Sequence, residues 1–294
     1  MRVLITGGGG FLAGHLSAYL QTIAGIEVRT LGRADCDLSR DKERLLAVLH
    51  SFQPDRVIHL AGRISGSETE LDCDNRLASV NLLESVRQET PAARVVLGSS
   101  AAVYGEGGTA AAPVKESQAP VPRSAYAFSK YAAELEARNH AEAGVWIATA
   151  RMSNAIGSNM NVALLPGTIA RQIIEIERGK PPILTLRDLS PKRDFFSVRD
   201  CARALWCIAE SGRPGAVYNV AGGVSTAVAD VVKLYLSLAQ VWPIEVRSFP
   251  AADERSSIQE QWVSNEKLRA LGWRPQETLL DAVRDHLEGE RARA

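Results

Sequence analysis

The chain lacks a surplus of charge of either sign: 34 Lys and Arg balance 34 Asp and Glu, and the pI is near 7.0. Proteins that neutralise phosphate backbones carry a basic excess, so no nucleic-acid partner is expected. Cysteine is scarce too. Cys36, Cys73, Cys201 and Cys207 show neither CxxC nor CxxH spacing, which argues against a disulfide framework and a zinc site, and no metal is expected. Cys201 and Cys207 fall in an apolar, helix-like stretch, where small buried hydrophobes belong. No apolar run approaches the ~18 residues of a membrane span, so no membrane partner is expected. The first residues enter a strand-like run without a basic segment or cleavage pattern, so no secretory leader is expected and a cytoplasmic location is.

What is present is alternation. Apolar runs at Arg2–Thr6, Glu27–Leu31, Arg56–Leu60, Arg94–Gly98, Trp146–Arg151 and Val217–Val220 read as strands. Between them, Gly10–Thr22, Asp41–Phe52, Asn75–Glu89 and Ala125–Ala143 carry helical patterns. Runs such as Val95-Val96-Leu97 are apolar on both faces, as in a parallel sheet covered by helices. The expectation is an α/β fold: a Rossmann-type doubly wound parallel sheet with a smaller, mixed α/β C-terminal substrate domain. Residues 1–155 plus 194–223 are assigned to the dinucleotide-binding part, and 156–193 plus 224–294, rich in proline, to the substrate part. The Gly/Ala/Pro-rich stretch Gly105–Pro122 reads as a long loop of functional type.

The first strand ends in Thr6-Gly7-Gly8-Gly9-Gly10-Phe11-Leu12-Ala13-Gly14 and a helix follows. Gly7 suits the tight turn, Gly10 the approach of backbone to a pyrophosphate, and Ala13 close helix–sheet packing. The anion would sit on the helix N-terminus at Phe11 and Leu12, where free N–H groups and the helix dipole favour it. Glycine-rich turns also arise for structural reasons alone, but the strand before and the helix after are those of a dinucleotide site. At the end of the second strand, where a carboxylate would grip the ribose of NAD, Gly32 stands and Arg33 follows. A guanidinium suits the 2′-phosphate of NADP, so the reading leans to NADP, with NAD possible and a solvated Arg33 as the plain alternative. Asp37 and Leu38 are candidates for the adenine side.

Tyr126 and Lys130 lie four apart, on one face of a helix. A tyrosine of pKa about 10 is a poor acid–base catalyst until a cation draws its proton off, and Lys130 is placed to do so. Gly98-Ser99-Ser100 ends the fourth strand on the carboxyl edge, where such sheets hold ligands. Ser100 is read as catalytic, and Ser99 as a loop hydroxyl that satisfies backbone.

Together these residues resemble the extended short-chain dehydrogenase/reductases that act on nucleotide sugars, along most of the chain. The resemblance includes His59-Leu60-Ala61-Gly62, Asn75, Asn81-Leu82-Leu83-Glu84, Arg151-Met152-Ser153-Asn154, Arg193-Asp194-Phe195-Phe196-Ser197, Val217-Tyr218-Asn219-Val220 and the closing Leu271-Gly272-Trp273-Arg274-Pro275. It implies that Leu60, Ala61, Gly62 and Asn75 line the cofactor, and that Tyr126 and Lys130 contact it as well. It also implies that Asn154 touches the substrate and that Arg193 and Arg255 meet its diphosphate. By residue type alone, an ion pair of Arg193 with Asp194 or Asp200 is the plain alternative. Members commonly dimerise through the helices that correspond to Asn75–Glu89 and Ala125–Ala143, so a homodimer is expected.

One departure narrows the chemistry. Dehydratases of this family follow the catalytic hydroxyl with Asp-Glu, because elimination of water needs a second acid and base. Here Ala101-Ala102 stands instead. A 4-ketoreductase and a 4-epimerase remain, and a non-catalytic sensor fits less well because Tyr126, Lys130 and Ser100 are all kept. Gly32-Arg33, the modest length and the Ile169–Gly179 segment resemble the branch that reduces 4-keto-6-deoxy sugar nucleotides such as GDP-4-keto-6-deoxymannose.

Overall fold

The computed structural model describes residues 1–105, 112–249 and 259–294. Its first half runs β1 (Arg2–Thr6), α1 (Phe11–Gln21), β2 (Glu27–Leu31), α2 (Lys42–Phe52), β3 (Arg56–His59) and α3 (Glu68–Leu71). A π-helical turn (Asp72–Leu77), α4 (Ala78–Glu89), β4 (Arg94–Ser100), a 3-10 turn (Ala101–Tyr104), α5 (Ala125–Glu142) and β5 (Ile147–Met152) follow. The second half comprises β6 (Asn154–Ile156), α6 (Leu165–Glu177), β7 (Ile183–Leu186), β8 (Lys192–Ser197), α7 (Val198–Ser211) and β9 (Val217–Val220). It ends with β10 (Ser225–Ala227), α8 (Val228–Ser237), β11 (Glu245–Ser248), β12 (Glu260–Gln261), α9 (Glu266–Arg269) and α10 (Leu279–Arg293).

The alternating apolar runs pair into one parallel sheet of order β2-β1-β3-β4-β5-β9. Successive strand side chains point to opposite faces. Val3, Ile5, Ile58 and Val96 therefore pack under α1 and α7, whereas Leu4, Val57, Val95 and Leu97 pack under α2, α4 and α5. Both faces are dry, which is why these strands carry unbroken Val, Ile and Leu. The sheet is doubly wound, as the alternation predicts.

After β5 the chain leaves this sheet. β8 pairs with β10 antiparallel and with β6 and β12 in parallel, and β7 pairs with β11. A separate core of Ile169, Ile173, Leu184, Phe195, Val231, Tyr235, Val283 and Leu287 holds these elements to α6, α8 and α10. α7 and β9 then return to the first sheet, α7 packing its Cys201, Leu205 and Ile208 under it. Strand order reverses between β1 and β3, and at such a switch point the loops after the two strands part and leave a crevice.

Candidate active site

The glycine loop forms one lip of that crevice. Gly7 has φ of +75°, and a Cβ there would stand 2.7 Å from the Ala61 nitrogen and 2.8 Å from the Leu60 carbonyl, so only glycine lets the β1 and β3 loops touch. Gly8 donates to the Leu31 carbonyl at 3.0 Å, tying the loop to the end of β2. The open position is Gly9, with nothing within 4 Å of a Cβ, whereas Gly10 must pass the Gly7 carbonyl at 3.0 Å. α1 begins at Phe11 with no side-chain cap and no acidic residue in its first turn. Its N–H groups and dipole face the open side of the loop, so the cradle fits a pyrophosphate. Ala13 is buried in the core, as helix–sheet packing requires, and Leu12 packs against the same core.

The opposite lip is built from Leu60, Ala61 and Gly62. A Cβ on Gly62 would collide with Asn75 Oδ1 at 2.5 Å and Lys130 Nζ at 3.0 Å, so three candidate residues meet at one point. Asn75, raised into place by the π-helical turn, accepts the Arg63 N–H at 2.9 Å and donates to the Arg63 carbonyl at 3.0 Å and Ser129 Oγ at 2.8 Å. Its amide is spent on holding the loop. Beneath it runs a buried chain that sequence reasoning did not find. The Thr6 hydroxyl lies 2.6 Å from His59 Nδ1, His59 Nε2 lies 3.0 Å from Ser79 Oγ, and Ser79 donates to the Asn75 carbonyl at 2.6 Å. Burial, with Lys130 nearby, pushes the His59 pKa down to about 3, so this ring is a neutral strut.

On the other side of the crevice, Ser124 caps α5 by accepting the Ala127 N–H at 3.1 Å, which sets Tyr126 in the first turn and Lys130 one turn below. Ser100 ends β4, and its hydroxyl accepts the Ala102 N–H at 3.1 Å. Burial pushes the Tyr126 phenol above its usual range, and a hydrogen bond with Ser100 pulls it back in part. Lys130 donates to the Gly98 carbonyl at 3.1 Å, and burial brings its pKa down to about 8 against the opposing pull of Glu134. Ser100 and Tyr126 meet, and Lys130 lies one turn further along α5. From sequence Lys130 is expected to draw the phenol's proton off, but burial governs Tyr126 and its partial offset comes from Ser100.

Ser99 does not satisfy backbone, the role read for it from sequence. Its hydroxyl donates to the buried Glu134 carboxylate. Glu134 also receives Arg151 Nη2 at 2.6 Å and Nε at 3.0 Å, and the Arg151 guanidinium lies 4.7 Å from the Tyr104 ring centre. Tyr104 donates to Asn219 at 2.8 Å. This network joins α5, β4, β5 and β9 directly behind the Ser100–Tyr126 pair.

On the substrate side, Asn154 lies exposed beside β8 and donates to the Asp194 carbonyl at 3.0 Å. Arg193 and Asp194 project to opposite sides of β8. The Asp194 carboxylate turns inward and accepts the N–H groups of Gly222 at 2.8 Å and Gly223 at 2.9 Å; burial, opposed by these bonds, raises its pKa to about 7. The Asp200 carboxylate is held by Arg203 and by the N–H groups of Gln276 and Glu277. Both acids considered as partners of Arg193 are thus engaged elsewhere, and Arg193 itself is half-buried on β8. Arg255 lies outside the described residues.

At the adenosine end, Arg33 Nη2 pairs with Asp74 Oδ1 at 2.6 Å. The Asp37 carboxylate accepts both N–H and hydroxyl of Ser39, and Leu38 is buried in the core with its carbonyl held by Asn81 at 2.8 Å. Among the described residues no cluster of His, Cys, Asp or Glu is suited to a metal, and no helix is long and apolar enough to cross a membrane.

A parallel, doubly wound sheet with a glycine-loop crevice and a Ser-Tyr-Lys set defines a class, and the profile of the NAD dependent epimerase/dehydratase family matches residues 3–221; the chain belongs to that family. Within it, the chain is 31% identical to the GDP-6-deoxy-D-mannose reductase of Pseudomonas aeruginosa, over 96% of this chain and 95% of that one. It is 28% identical to a dTDP-6-deoxy-L-talose 4-dehydrogenase (NAD(P)(+)) of Kitasatospora kifunensis, over 97% and 94%. Among solved structures, RMD of Pseudomonas aeruginosa complexed with NADPH superposes with a TM-score of 0.89 at 30% identity, covering 100% of this chain and 99% of that one. The UDP-glucose 4-epimerase of Thermus thermophilus with NAD gives 0.88 at 26% identity, covering both chains completely.

Proposed function

We propose that the protein is an NAD(P)-dependent reductase of the C4 keto group of a nucleotide-linked 4-keto-6-deoxyhexose. The observation that carries this reading is the Ser100–Tyr126–Lys130 set backed by Ala101 and Ala102. Ala101 is 2% exposed and packed against Val103, Tyr104, Val114 and Val263, so an elimination acid at that position would be a charge buried in apolar core. Proton transfer is left to a single phenol.

Gly7, Gly9, Gly10 and the N-terminus of α1 would hold the pyrophosphate of the dinucleotide, and Leu60–Gly62 with Lys130 its nicotinamide half. Bound there, the dinucleotide supplies the hydride. Tyr126 gives its proton to the C4 oxygen as negative charge gathers on it. Ser100 donates a hydrogen bond to the same oxygen, and the Lys130 ammonium stabilises the tyrosinate left behind. Asn154 and Arg193 face the nucleotide-sugar substrate. Phe128 and Leu135 are exposed seven residues apart on α5, which supports a homodimer through α4 and α5.

The test is to mix purified protein with NADPH and GDP-4-keto-6-deoxymannose and follow absorbance at 340 nm. Stoichiometric oxidation of NADPH with formation of a 6-deoxyhexose nucleotide is expected. Tightly co-purified NAD, with interconversion of C4 epimers and no net NADPH loss, would overturn the assignment in favour of an epimerase.

A further inference from the structure

We propose that Asp35 and Asp74 set the dinucleotide preference of this protein by tempering the pull of Arg33 on a 2′-phosphate. This rests on the dinucleotide reading given above. The sequence places no acid at the end of β2, where Gly32 stands, but the fold supplies one from three residues on. The chain turns at Gly32–Asp35, and the Asp35 carboxylate folds back to accept the Gly32 N–H at 2.8 Å. A Cβ built on Gly32 would lie 3.4 Å from Asp35 Oδ2 and 3.7 Å from the Gly9 nitrogen, so the carboxylate and the open glycine of the loop border the same space. An acceptor beside the glycine loop at the end of β2 is the chemistry that holds a ribose diol, and it repels a phosphate dianion.

Asp74 acts on the guanidinium. It rides on the π-helical turn, its side chain only 7% exposed, and it pairs with Arg33 at 2.6 Å and with Arg63 Nε at 2.7 Å. Extra-residue turns of this kind commonly re-aim side chains at functional sites. Arg33, 58% exposed, is thereby drawn toward the β3 loop, one of its donors occupied by a carboxylate. Any 2′-phosphate must compete with that carboxylate for the arginine and must sit close to a second negative charge. At this rim Arg33 and Arg63 share Asp74, Arg63 also pairs with Glu70 at 3.1 Å, and Arg33 acts on Asp37 as well. A site selected for phosphate alone would leave its cations unopposed.

The experiment measures equilibrium dissociation constants of NADPH and NADH by nicotinamide fluorescence, and of 2′,5′-ADP by calorimetry, for the intact protein and for Asp35→Asn and Asp74→Asn. Asp35→Asn is expected to weaken NADH about tenfold and leave NADPH unchanged or tighter, because only the bare diol uses the carboxylate. Asp74→Asn is expected to tighten NADPH and 2′,5′-ADP about fivefold with NADH unchanged. Equal changes for both dinucleotides on Asp35→Asn would overturn the role of Asp35. Weaker 2′,5′-ADP binding on Asp74→Asn would overturn the competition and make Asp74 a support for Arg33. Asp35 is exposed, so its variant tests the proposal even where Asp74→Asn misfolds. If the intact protein binds neither dinucleotide, the cofactor reading itself falls.

Discussion

The two ends of the crevice are built on different principles. At the chemical end, Tyr126 and Lys130 stand on a capped helix clamped to β4 and β5 through Ser99, Glu134 and Arg151, all of them buried apart from the catalytic tips. At the adenosine end, Arg33 and Asp35 are exposed and Arg63 partly so, and Asp74, which pairs with both arginines, is sunk into the fold. A buried ionic network fails when one partner is removed, because an uncompensated charge remains inside. An exposed ion pair is screened and contributes little to stability. The chemistry is therefore locked to the fold, whereas the choice of cofactor is free to drift without unfolding the protein.

Stability gives the sharpest way to break this contrast. Glu134→Ala should cost about 3–5 kcal/mol, since it leaves Arg151 charged and buried, while Arg33→Ala should cost under about 1 kcal/mol. Denaturant midpoints of the two variants measure the gap, and equal losses would erase the distinction. Next in size is Tyr126→Phe. It should lower turnover at least ~10²-fold with NADPH affinity and melting temperature little changed, because the variant keeps the ring and Ser100 keeps its bond to the Ala102 N–H. A rate near that of the intact protein would remove Tyr126 from the mechanism.

The chemical end was the more legible of the two from sequence, and for a physical reason. Tyr126 and Lys130 are linked by helical periodicity, and Ser100 by its place at the end of an apolar strand; both are local signals. Strands β1, β3 and β4 of the main sheet stand out for the same reason, each carrying a continuous run of Val, Ile or Leu. The second sheet does not stand out. Its strands β6, β10 and β12 are two or three residues long and owe their existence to partners dozens of residues away. Glu134 lies one further turn along the Tyr126–Lys130 face, and that spacing was a usable signal, but its bond to Arg151 is tertiary. The pairing of Arg33 with Asp74 crosses from β2 to the π-helical turn, and no periodic pattern announces such a turn. The direction of the Leu38 side chain, which lies in the core, is likewise set by tertiary packing and not by its neighbours in sequence.

A pH titration probes the buried end again, with a smaller effect. His59 titrates near 3 in the folded protein, against 6.5 in an unfolded chain. Between those values the unfolded state binds the proton and the native state does not, so stability is complete above about pH 6.5 and is lost as pH falls toward 3. The slope cannot exceed about 1.4 kcal/mol per pH unit for one group. His59→Gln keeps a polar contact for Thr6 or Ser79 and removes the titration, so its stability should fall less steeply than that of the intact protein between pH 6.5 and 5, by denaturant midpoints. Parallel curves would mean that His59 takes up its proton in the native state, which its buried place between Thr6 and Ser79 opposes.

The smallest effect belongs to the exposed end. Arg33→Ala should weaken NADPH about tenfold and leave NADH within about twofold, since of the two dinucleotides only NADPH offers the guanidinium a 2′-phosphate. Its dependence on salt should separate it from every change behind Tyr126. A contact made in solvent is screened, so the gap between Arg33→Ala and the intact protein should narrow as ionic strength rises from 0.01 to about 1 M, where the screening length falls from about 30 to 3 Å. The loss in Tyr126→Phe, made in a water-poor site, should not respond. If the two variants respond to salt alike, the adenosine end is as enclosed as the chemical end, and the contrast drawn between them does not hold.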